Sequence, residues 1–388
     1  MEPPGGRDVI VVGGGVIGLA VAWRLAVTGV RTTVVDASGT QGASWAAAGM
    51  LAPVSEASFG EEDLLRLNLA AVARFPEFVR ELEAASGCTV GLRDEGTLVV
   101  ALDADDREAL ERLSRFRSSL GLAADRLTGS AVRRLEPYLT PDIRGGVLAR
   151  GDYSVHNRDY AVALRAAAQG AGVEILADRV VEILVEAGRA RGVRAEHTGE
   201  LRCDTVVLAA GAWTAGLPGL PEAARPPVRP VKGQILRLGL PPSLRPNGPV
   251  LTHTVRALVR GSEVYLVPRA DGELVVGATV EERGFDEVVT AGGVYTLLRD
   301  AYQLLPVVSE LELVEARAAL RPGTPDNAPV LGWSSLPGLL LATGHYRNGI
   351  LLSAITADAV TALVDGDEPG PEWAPCTPER FGGKHEHE

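Results

Sequence analysis

Cysteine is scarce in this chain of 388 residues, which contains only Cys88, Cys203 and Cys376. The three are far apart and form no CxxC pair, so the sequence indicates neither a disulfide framework nor a zinc site. Two histidines lie in the last seven residues, 382–388, where we expect a frayed tail and no metal site. This composition favours a reducing, cytoplasmic setting.

Basic residues are outnumbered, with 38 Lys and Arg against 50 Asp and Glu and a net charge of −12. Nucleic-acid binding relies on clustered Lys and Arg, so we expect no nucleic-acid partner. Long apolar runs are missing as well: the run over 9–12 is too short to span a bilayer and follows no basic segment of the signal-peptide kind. We therefore expect a soluble protein without a membrane segment.

Aromatic residues make up only 5% of the chain, although 46% of its residues are hydrophobic. The interior must be built mainly from Ala, Val and Leu, which favours layers of helix on sheet. The length suits two domains better than one, because single cores stop growing before this size.

The N-terminal region reads as one βαβ unit. The pattern predicts a buried strand over Asp8–Val12, a tight glycine turn over 13–18, a helix over 16–28 and a second strand over Arg31–Val35. A unit of this size forms the crossover of a parallel sheet, so the sheet is expected to be parallel and covered.

The glycine turn has the spacing of a dinucleotide-binding fingerprint. Gly13 permits the turn, Gly15 lets backbone approach a pyrophosphate, and Gly18 lets the helix pack closely on the strand. Asp36, at the end of the second strand, can accept hydrogen bonds from ribose hydroxyls. The alternative is a glycine turn that binds nothing, with Asp36 as an ordinary N-cap or surface acid. The βαβ unit alone does not show whether the dinucleotide is FAD or NAD.

The rest of the chain alternates helices and short strands. Amphipathic helices are predicted over 61–86 and 105–120, and strands over 96–102 and 263–267, while 221–230 reads as a Pro-rich crossover. A βα sequence pattern like that of the N-terminus recurs at 173–176, at 204–211, and at 339–344 followed by a helix over 350–364. We predict a discontinuous dinucleotide-binding domain (1–86, 151–220 and 326–370), a substrate domain on a mixed or antiparallel sheet (87–150 and 221–325), and a tail (371–388).

Four further segments carry a family resemblance: ASWAAAGML (43–51), VYLVPR (264–269), LRPGTPD (320–326) and ATGHYRNGIL (342–351). The small residues of 43–51 let backbone pass close to a flat ligand. Together with the glycine fingerprint, these segments resemble the flavin-dependent amine and D-amino-acid oxidases, and most closely the glycine oxidases associated with thiamin biosynthesis. The similarity covers nearly the whole chain.

The resemblance implies an α/β fold: a Rossmann-like FAD-binding domain of the glutathione-reductase type and a second α+β domain. It implies hydride transfer from the α-carbon of glycine or an N-substituted glycine to flavin N5. The resulting imine would give glyoxylate and ammonia or an amine, with O₂ reduced to hydrogen peroxide. FAD would be non-covalent, because no cysteine lies between residues 204 and 375, where sarcosine oxidases of the group attach flavin. Related oxidases are often homotetramers.

Residue roles also follow from the resemblance. Arg321 would clamp the substrate carboxylate, Tyr265 would add a hydroxyl contact, and the backbone at Arg347 would receive the amine. A surface salt bridge for Arg321, a core aromatic for Tyr265 and a plain glycine-rich turn at 344–351 are the alternatives. The FAD contacts implied are Gly13, Gly15, Val16, Ile17, Gly18, Asp36, Ala37, Ala43, Ser44, Ala48, Gly49, Met50, Val180, Gly211, Gly344, His345, Tyr346, Arg347, Asn348, Gly349, Ile350 and Leu351.

No side chain is nominated as an acid or base, and His345 is assigned to cofactor contact, with catalysis as the less favoured alternative. Three departures from the resembling family leave the substrate open. Glu263 stands where a histidine is usual, Val280 where a methionine is usual, and His156-Asn157-Arg158 where an acidic residue and proline are usual. A bulkier N-substituted glycine, in thiamin biosynthesis or secondary metabolism, therefore stays open. So do a D-amino-acid or sarcosine-type oxidase, an FAD-linked dehydrogenase and a flavin-binding protein without turnover.

Overall fold

The structure is a computed structural model that describes residues 8–37, 41–244, 249–259 and 261–381; the predicted frayed tail, 382–388, lies outside them. The helices are, in chain order, α1 (Val16–Val27), α2 (Ala43–Ala46), α3 (Glu62–Ser86), α4 (Ala104–Ser119), α5 (Gly129–Leu135), α6 (Asn157–Gly170), α7 (Ala291–Leu304) and α8 (Gly349–Asp365). Short 3₁₀ helices occupy Gly211–Gly216, Glu222–Ala224, Pro306–Glu310, Pro371–Cys376 and Pro378–Phe381.

The strands have between two and twelve residues. In chain order they are β1 (Asp8–Val12), β2 (Arg31–Val35), β3 (Met50–Leu51), β4 (Thr97–Ala101), β5 (Asp125–Thr128), β6 (Gly145–Ala149), β7 (Tyr153–Ser154), β8 (Glu174–Leu176), β9 (Val180–Glu186), β10 (Arg189–Ala195), β11 (Gly199–Arg202), β12 (Thr205–Leu208), β13 (Arg229–Gly239), β14 (Thr254–Val259), β15 (Ser262–Pro268), β16 (Glu273–Gly277), β17 (Glu312–Gly323), β18 (Val330–Trp333) and β19 (Leu339–Thr343).

A six-stranded sheet in the order β18-β19-β12-β1-β2-β8 contains the predicted βαβ unit. β1 pairs in parallel with β2 and with β12, and β18 runs antiparallel to β19. Side chains alternate across the sheet: Val9 and Val11 face a core shared with α1, α3, α6 and α8, whereas Ile10 and Val12 face a second core. Both faces are covered, as a parallel sheet requires, and the predicted fold class is confirmed.

An eight-stranded sheet forms the second layer, in the order β17-β13-β16-β15-β14-β4-β6-β5. Its neighbours run antiparallel except for β14 and β4, which are parallel, and one face packs on α7 in a core that includes Leu236 and Leu297. Its strands come from 97–149 and 229–323, whereas those of the first sheet come from 8–35, 174–176, 205–208 and 330–343. β9, β10 and β11, between 180 and 202, form a separate three-stranded sheet. The exact domain boundaries stay a prediction.

The predicted helices and strands begin and end within three residues of those in the structure. The segment 43–51 differs, because the sequence predicts no regular element there and the structure forms α2 and β3. β3 pairs with β7, which holds the segment against the chain just before α6. Of the predicted tail, 371–381 is described, and its Trp373 is buried in the core of the first sheet.

Three further expectations can be set against the described residues. Cys88, Cys203 and Cys376 are free thiols there. No group of three His, Cys, Asp or Glu side chains in the described part of the chain is placed to hold a metal ion. Among the same residues, no helix is long and apolar enough to cross a bilayer.

Candidate active site

A cavity of about 720 Å³ lies beside the turn from Gly13 to Gly18, and we call it the glycine-turn cavity. The turn is possible only with glycine at two of its positions. Gly13 has φ +106°, and a Cβ at Gly18 would lie 1.9 Å from the carbonyl oxygen of Gly13. The strand, the turn and α1 therefore pack in the arrangement predicted from the fingerprint.

Two helices begin at this cavity. Gly15 and Val16 at the start of α1, and Gly349 and Ile350 at the start of α8, all line it. Neither helix has a side-chain N-cap hydrogen bond, although the backbone N–H of Val16 donates to Ser44 Oγ at 3.2 Å. Free N–H groups at helix N-termini attract anions, so the cavity offers two places for negatively charged parts of a ligand.

Asp36 follows β2 at the wall of the same cavity and is 5% exposed. Its carboxylate lies 3.6 Å from the guanidinium of Arg165. A Cβ at Gly14 would lie only 2.6 Å from the Asp36 carboxylate. The carboxylate is therefore held next to the glycine turn, where the sequence predicts contact with a ribose.

The loop from Gly344 to Asn348 connects β19 to α8 and turns sharply. Gly344 has φ +74° and Tyr346 has φ +47°, an uncommon value for a residue other than glycine. His345 is buried, with Nε2 3.0 Å from Thr356 Oγ1, and burial lowers the pKa of its imidazole to about 3. A neutral, enclosed imidazole agrees with a packing or cofactor-contact role for His345.

A second cavity of about 550 Å³, which we call the arginine cavity, lies beside the first. Arg321 on β17 lines it, with Nη1 donating to the carbonyl oxygen of Thr279 at 3.1 Å. A Cβ at Gly233 would lie 2.4 Å from both terminal nitrogens of Arg321, so the guanidinium lies directly over this glycine. Arg321 forms no ion pair with any other described residue, which leaves its charge available to a ligand.

Tyr265 on β15 lines the same cavity. A Cβ at Gly277 would lie 2.3 Å from its hydroxyl oxygen, so the ring lies over the paired strand β16. Burial raises the pKa of the Tyr265 phenol, and the opposing effect of Arg321 and Arg256 does not cancel it. The phenol therefore stays protonated and can donate a hydrogen bond.

Two other arginines of the cavity have carboxylate partners. Arg256 Nη1 donates to Glu56, and Arg256 Nη2 lies 4.0 Å from Glu263. Arg347 Nη1 lies 3.5 Å from Glu263 as well. Burial lowers the pKa of Arg256, but Glu56 and Glu263 together raise it above its ordinary value. Arg256 and Arg347 are therefore charge-compensated, unlike Arg321.

The two cavities adjoin. Ala43, Ala47, Tyr346, Arg347 and Ile350 line both of them. A flat group at this junction would lie next to both α2 and the start of α8. A ligand held by Arg321 would then lie next to a group held in the glycine-turn cavity.

Most of the predicted residues lie at the two cavities, although their contacts with FAD stay a prediction. Those lining the glycine-turn cavity are Gly13, Gly15, Val16, Ile17, Asp36, Ala37, Ala43, Ser44, Val180, Gly211, Gly344, His345, Tyr346, Arg347, Gly349 and Ile350. Those lining the arginine cavity include Arg321, Tyr265, Arg347, Ala48, Gly49 and Met50.

Three of the predicted contacts lie elsewhere. Gly18 packs α1 against β1, and Leu351 is buried in the core of the first sheet because its helical position faces away from the cavity. Asn348 lines a smaller polar cavity of about 300 Å³ next to the arginine cavity, which Glu56 and Arg256 also line.

Several residues at the site carry no recognisable sequence signal. Arg256 pairs directly with Tyr265 across β14 and β15, which only the strand register reveals. Trp213 and Phe285 both line the glycine-turn cavity, with ring centroids 6.2 Å apart, although 72 positions separate them in sequence. Glu56 lies in a loop after β3, and Gly233 and Gly277 are single glycines within strands.

The profile of the FAD dependent oxidoreductase family matches residues 8–363. A bifunctional ThiO/ThiG protein of Nostoc sp. (strain PCC 7120 / SAG 25.82 / UTEX 2576) is 37% identical over 360 residues, or 92% of this chain. The chain spans 52% of the length of that protein.

Two other relatives match along almost their entire length. A glycine oxidase of Geobacillus kaustophilus (strain HTA426) is 35% identical over 382 residues, covering 97% of this chain and 98% of that one. The crystal structure of glycine oxidase from that species superposes with a TM-score of 0.87 at 34% identity, over 97% of this chain and 99% of that chain. The crystal structure of an iminodiacetate oxidase from Chelativorans sp. BNC1 superposes with a TM-score of 0.83 at 26% identity, over 95% of this chain and 98% of that chain.

Proposed function

This chain belongs to the FAD-dependent oxidoreductase family, and from that premise we propose that it oxidises glycine or an N-substituted glycine. The observation that carries the proposal is Arg321, a guanidinium without a carboxylate partner that faces the arginine cavity. A planar guanidinium binds a carboxylate bidentately, and the Tyr265 hydroxyl beside it can donate one further hydrogen bond. The glycine oxidase of Geobacillus kaustophilus supports this substrate class.

The glycine-turn cavity fits FAD. Side chains at Gly13 and Gly14 would collide with Ala209 and Asp36, so the turn requires glycine at both positions, and its backbone lines the cavity where a pyrophosphate would bind. The start of α1 would face the phosphates and the start of α8 the negative charge of a reduced flavin. The chemistry that FAD supplies is acceptance of a hydride from the substrate α-carbon and transfer of the electrons to O₂, with hydrogen peroxide as product.

The residues of the chain supply orientation. Arg321 and Tyr265 fix the carboxylate, while Ala43 and Ala47 lie at the junction where the substrate and cofactor cavities adjoin. Holding a reactant in one geometry contributes strongly to rate without any side-chain acid or base. After oxidation, water would convert the imine to glyoxylate and ammonia or an amine.

Two of the departures from the resembling family, Glu263 and Val280, line the arginine cavity, and for this reason the proposal includes N-substituted glycines beside glycine itself. Iminodiacetate, the substrate named for the Chelativorans relative, is a glycine substituted on nitrogen. Similarity to the ThiO/ThiG protein supports a cytoplasmic role in thiamin biosynthesis. A homotetramer is the assembly proposed with it.

The test combines a substrate screen with one variant. Under anaerobic conditions, glycine, sarcosine, longer N-alkyl glycines, iminodiacetate and D-alanine are tested for bleaching of the flavin absorbance, followed by peroxide output in air. We expect Arg321→Ala to lower kcat/KM at least about 100-fold because a buried carboxylate would lose its charged partner, with the flavin retained. Arg194→Ala, which removes a surface ion-pair residue on β10, is the control.

Each outcome has a distinct meaning. Bleaching without peroxide would favour an FAD-linked dehydrogenase, and a preference for D-alanine would favour a D-amino-acid oxidase. Near-normal kinetics in Arg321→Ala would contradict the carboxylate clamp.

A further inference from the structure

Asn157, the first residue of α6, is fully buried and makes four side-chain hydrogen bonds, two to α2 and two to arginines of the eight-stranded sheet. Its Nδ2 donates to the carbonyl oxygens of Ser44 and Trp45, both at 2.9 Å. Its Oδ1 accepts from Arg237 Nη2 at 3.1 Å and from Arg269 Nη2 at 3.2 Å. All four hydrogen-bonding positions of the amide are therefore used.

The two acceptors belong to α2, which has a single turn. The last carbonyl groups of a helix have no partner within the helix, and α2 ends at Ala46, so those of Ser44 and Trp45 need partners from outside. Asn157 donates to both of them at 2.9 Å, and the carbonyl oxygen of Trp45 also accepts, at longer distances, from Arg158 Nε at 3.4 Å and Arg237 Nη2 at 3.5 Å. The carbonyl oxygen of Ala48 accepts a hydrogen bond from Nη2 of Arg269, the same arginine that donates to Asn157.

α2 and the residue that follows it border the junction of the two cavities. Ala43 and Ala47 line both cavities, and Ser44 lines the glycine-turn cavity, where its Oγ accepts from the N–H of Val16. A shift of α2 would therefore reach the start of α1 and the junction of the cavities together.

We propose that Asn157 is a positioning residue for FAD: its amide N–H groups hold α2 in the place that the glycine-turn cavity requires. Arg237 lies on β13 and Arg269 follows β15, so Asn157 also fixes α2 relative to the sheet that carries Arg321. The inference depends on FAD binding and not on the identity of the substrate. Its failure would leave the proposed oxidation of glycines untouched.

Two substitutions separate the donor from the acceptor role of the amide. Asn157→Asp keeps an acceptor for Arg237 and Arg269 but cannot donate to Ser44 and Trp45, whereas Asn157→Ala removes both. Tyr160→Phe is the matched control: Tyr160 is one turn further along α6, is fully buried, and loses a single hydrogen bond to Ser353 Oγ at 2.6 Å.

FAD affinity is measured by titrating each full-length protein after removal of its flavin, together with the visible absorbance of the bound flavin and Tm. We expect Asn157→Asp and Asn157→Ala both to weaken FAD binding about tenfold, the size of one to two net hydrogen bonds. Both should change the fine structure of the flavin spectrum. Asn157→Asp should keep a higher Tm than Asn157→Ala, because its carboxylate pairs with the two arginines although it faces two carbonyl oxygens, and Tyr160→Phe should lower Tm without altering FAD affinity.

Wild-type FAD affinity and spectrum in Asn157→Asp would overturn the proposal, because the amide N–H groups would then be dispensable. The same conclusion would follow if both Asn157 variants behaved like Tyr160→Phe. Should Asn157→Ala fail to fold, Asn157→Asp alone decides, since it retains the contacts that stabilise the arginines.

Discussion

Gly233→Ala tests the placement of Arg321 without removing any charge. A Cβ at this position would lie 2.4 Å from Arg321 Nη1 and Nη2, whereas ordinary contacts begin at 3.4 Å. The guanidinium must therefore move by about 1 Å. A displacement of this size in a group that orients substrate costs about 100-fold in rate.

The fold should tolerate this substitution, because the colliding atoms are the end of a flexible side chain. Gly233 lies within β13 and pairs with Ala319 of β17, and nothing in that backbone has to change. We expect a shift of Tm by a few degrees at most. Flavin content should be that of the wild-type protein, since Gly233 does not line the glycine-turn cavity.

Steady-state peroxide production with the preferred substrate gives kcat/KM, and the visible spectrum gives flavin content. Gly292→Ala is the control, because a Cβ at this position in α7 meets nothing within 4 Å. A Gly233→Ala protein with wild-type kcat/KM would refute the reasoning, since the substrate would then not depend on where Arg321 lies.

Two further predictions concern the glycine-turn cavity. Because burial lowers the pKa of His345 to about 3, below its ordinary 6.5, His345 favours the folded state above pH 6.5, and this contribution is lost as the pH falls below that value. Between pH 6.5 and 4, the free energy of unfolding measured with urea should fall by up to about 3 kcal/mol more for the wild-type protein than for His345→Gln. The same pH dependence in both proteins would contradict this prediction. Phe285→Ala should weaken FAD binding about fivefold, because it removes the aromatic partner of Trp213 at the cavity. The control is Tyr302→Ala, on the exposed face of α7. Equal FAD affinities of the two variants would argue against this role of Phe285.

The sequence predicts the elements whose signal is local. The glycine turn and its two strands follow from residues within one βαβ unit, and β1 and β2 have the predicted bounds. The start of α8 differs by one residue from the prediction, because the glycines at 344 and 349 and the apolar run after them mark the loop and the helix.

The rest depends on contacts between residues far apart in sequence. In the sequence Arg256 looks like any strand residue, and only the pairing of β14 with β15 shows that it lies beside Tyr265. The role of Asn157 depends on four partners that lie 80 or more positions away in sequence. α2 has too few residues for a periodic signal, and its ends are satisfied by side chains from elsewhere.

β13 connects the two halves of the site. Residues two apart on a strand face the same side, so Gly233, Ile235 and Arg237 lie on one face of it. Gly233 provides the surface on which Arg321 rests, Ile235 lines the arginine cavity, and Arg237 donates to Asn157, which holds α2. The position of Arg321, the proposed carboxylate clamp, and that of α2, which lines the proposed cofactor cavity, thus both depend on this strand. A change in β13 should therefore alter substrate orientation and FAD binding together, whereas Gly233→Ala, which moves only the Arg321 side chain, should alter the first alone.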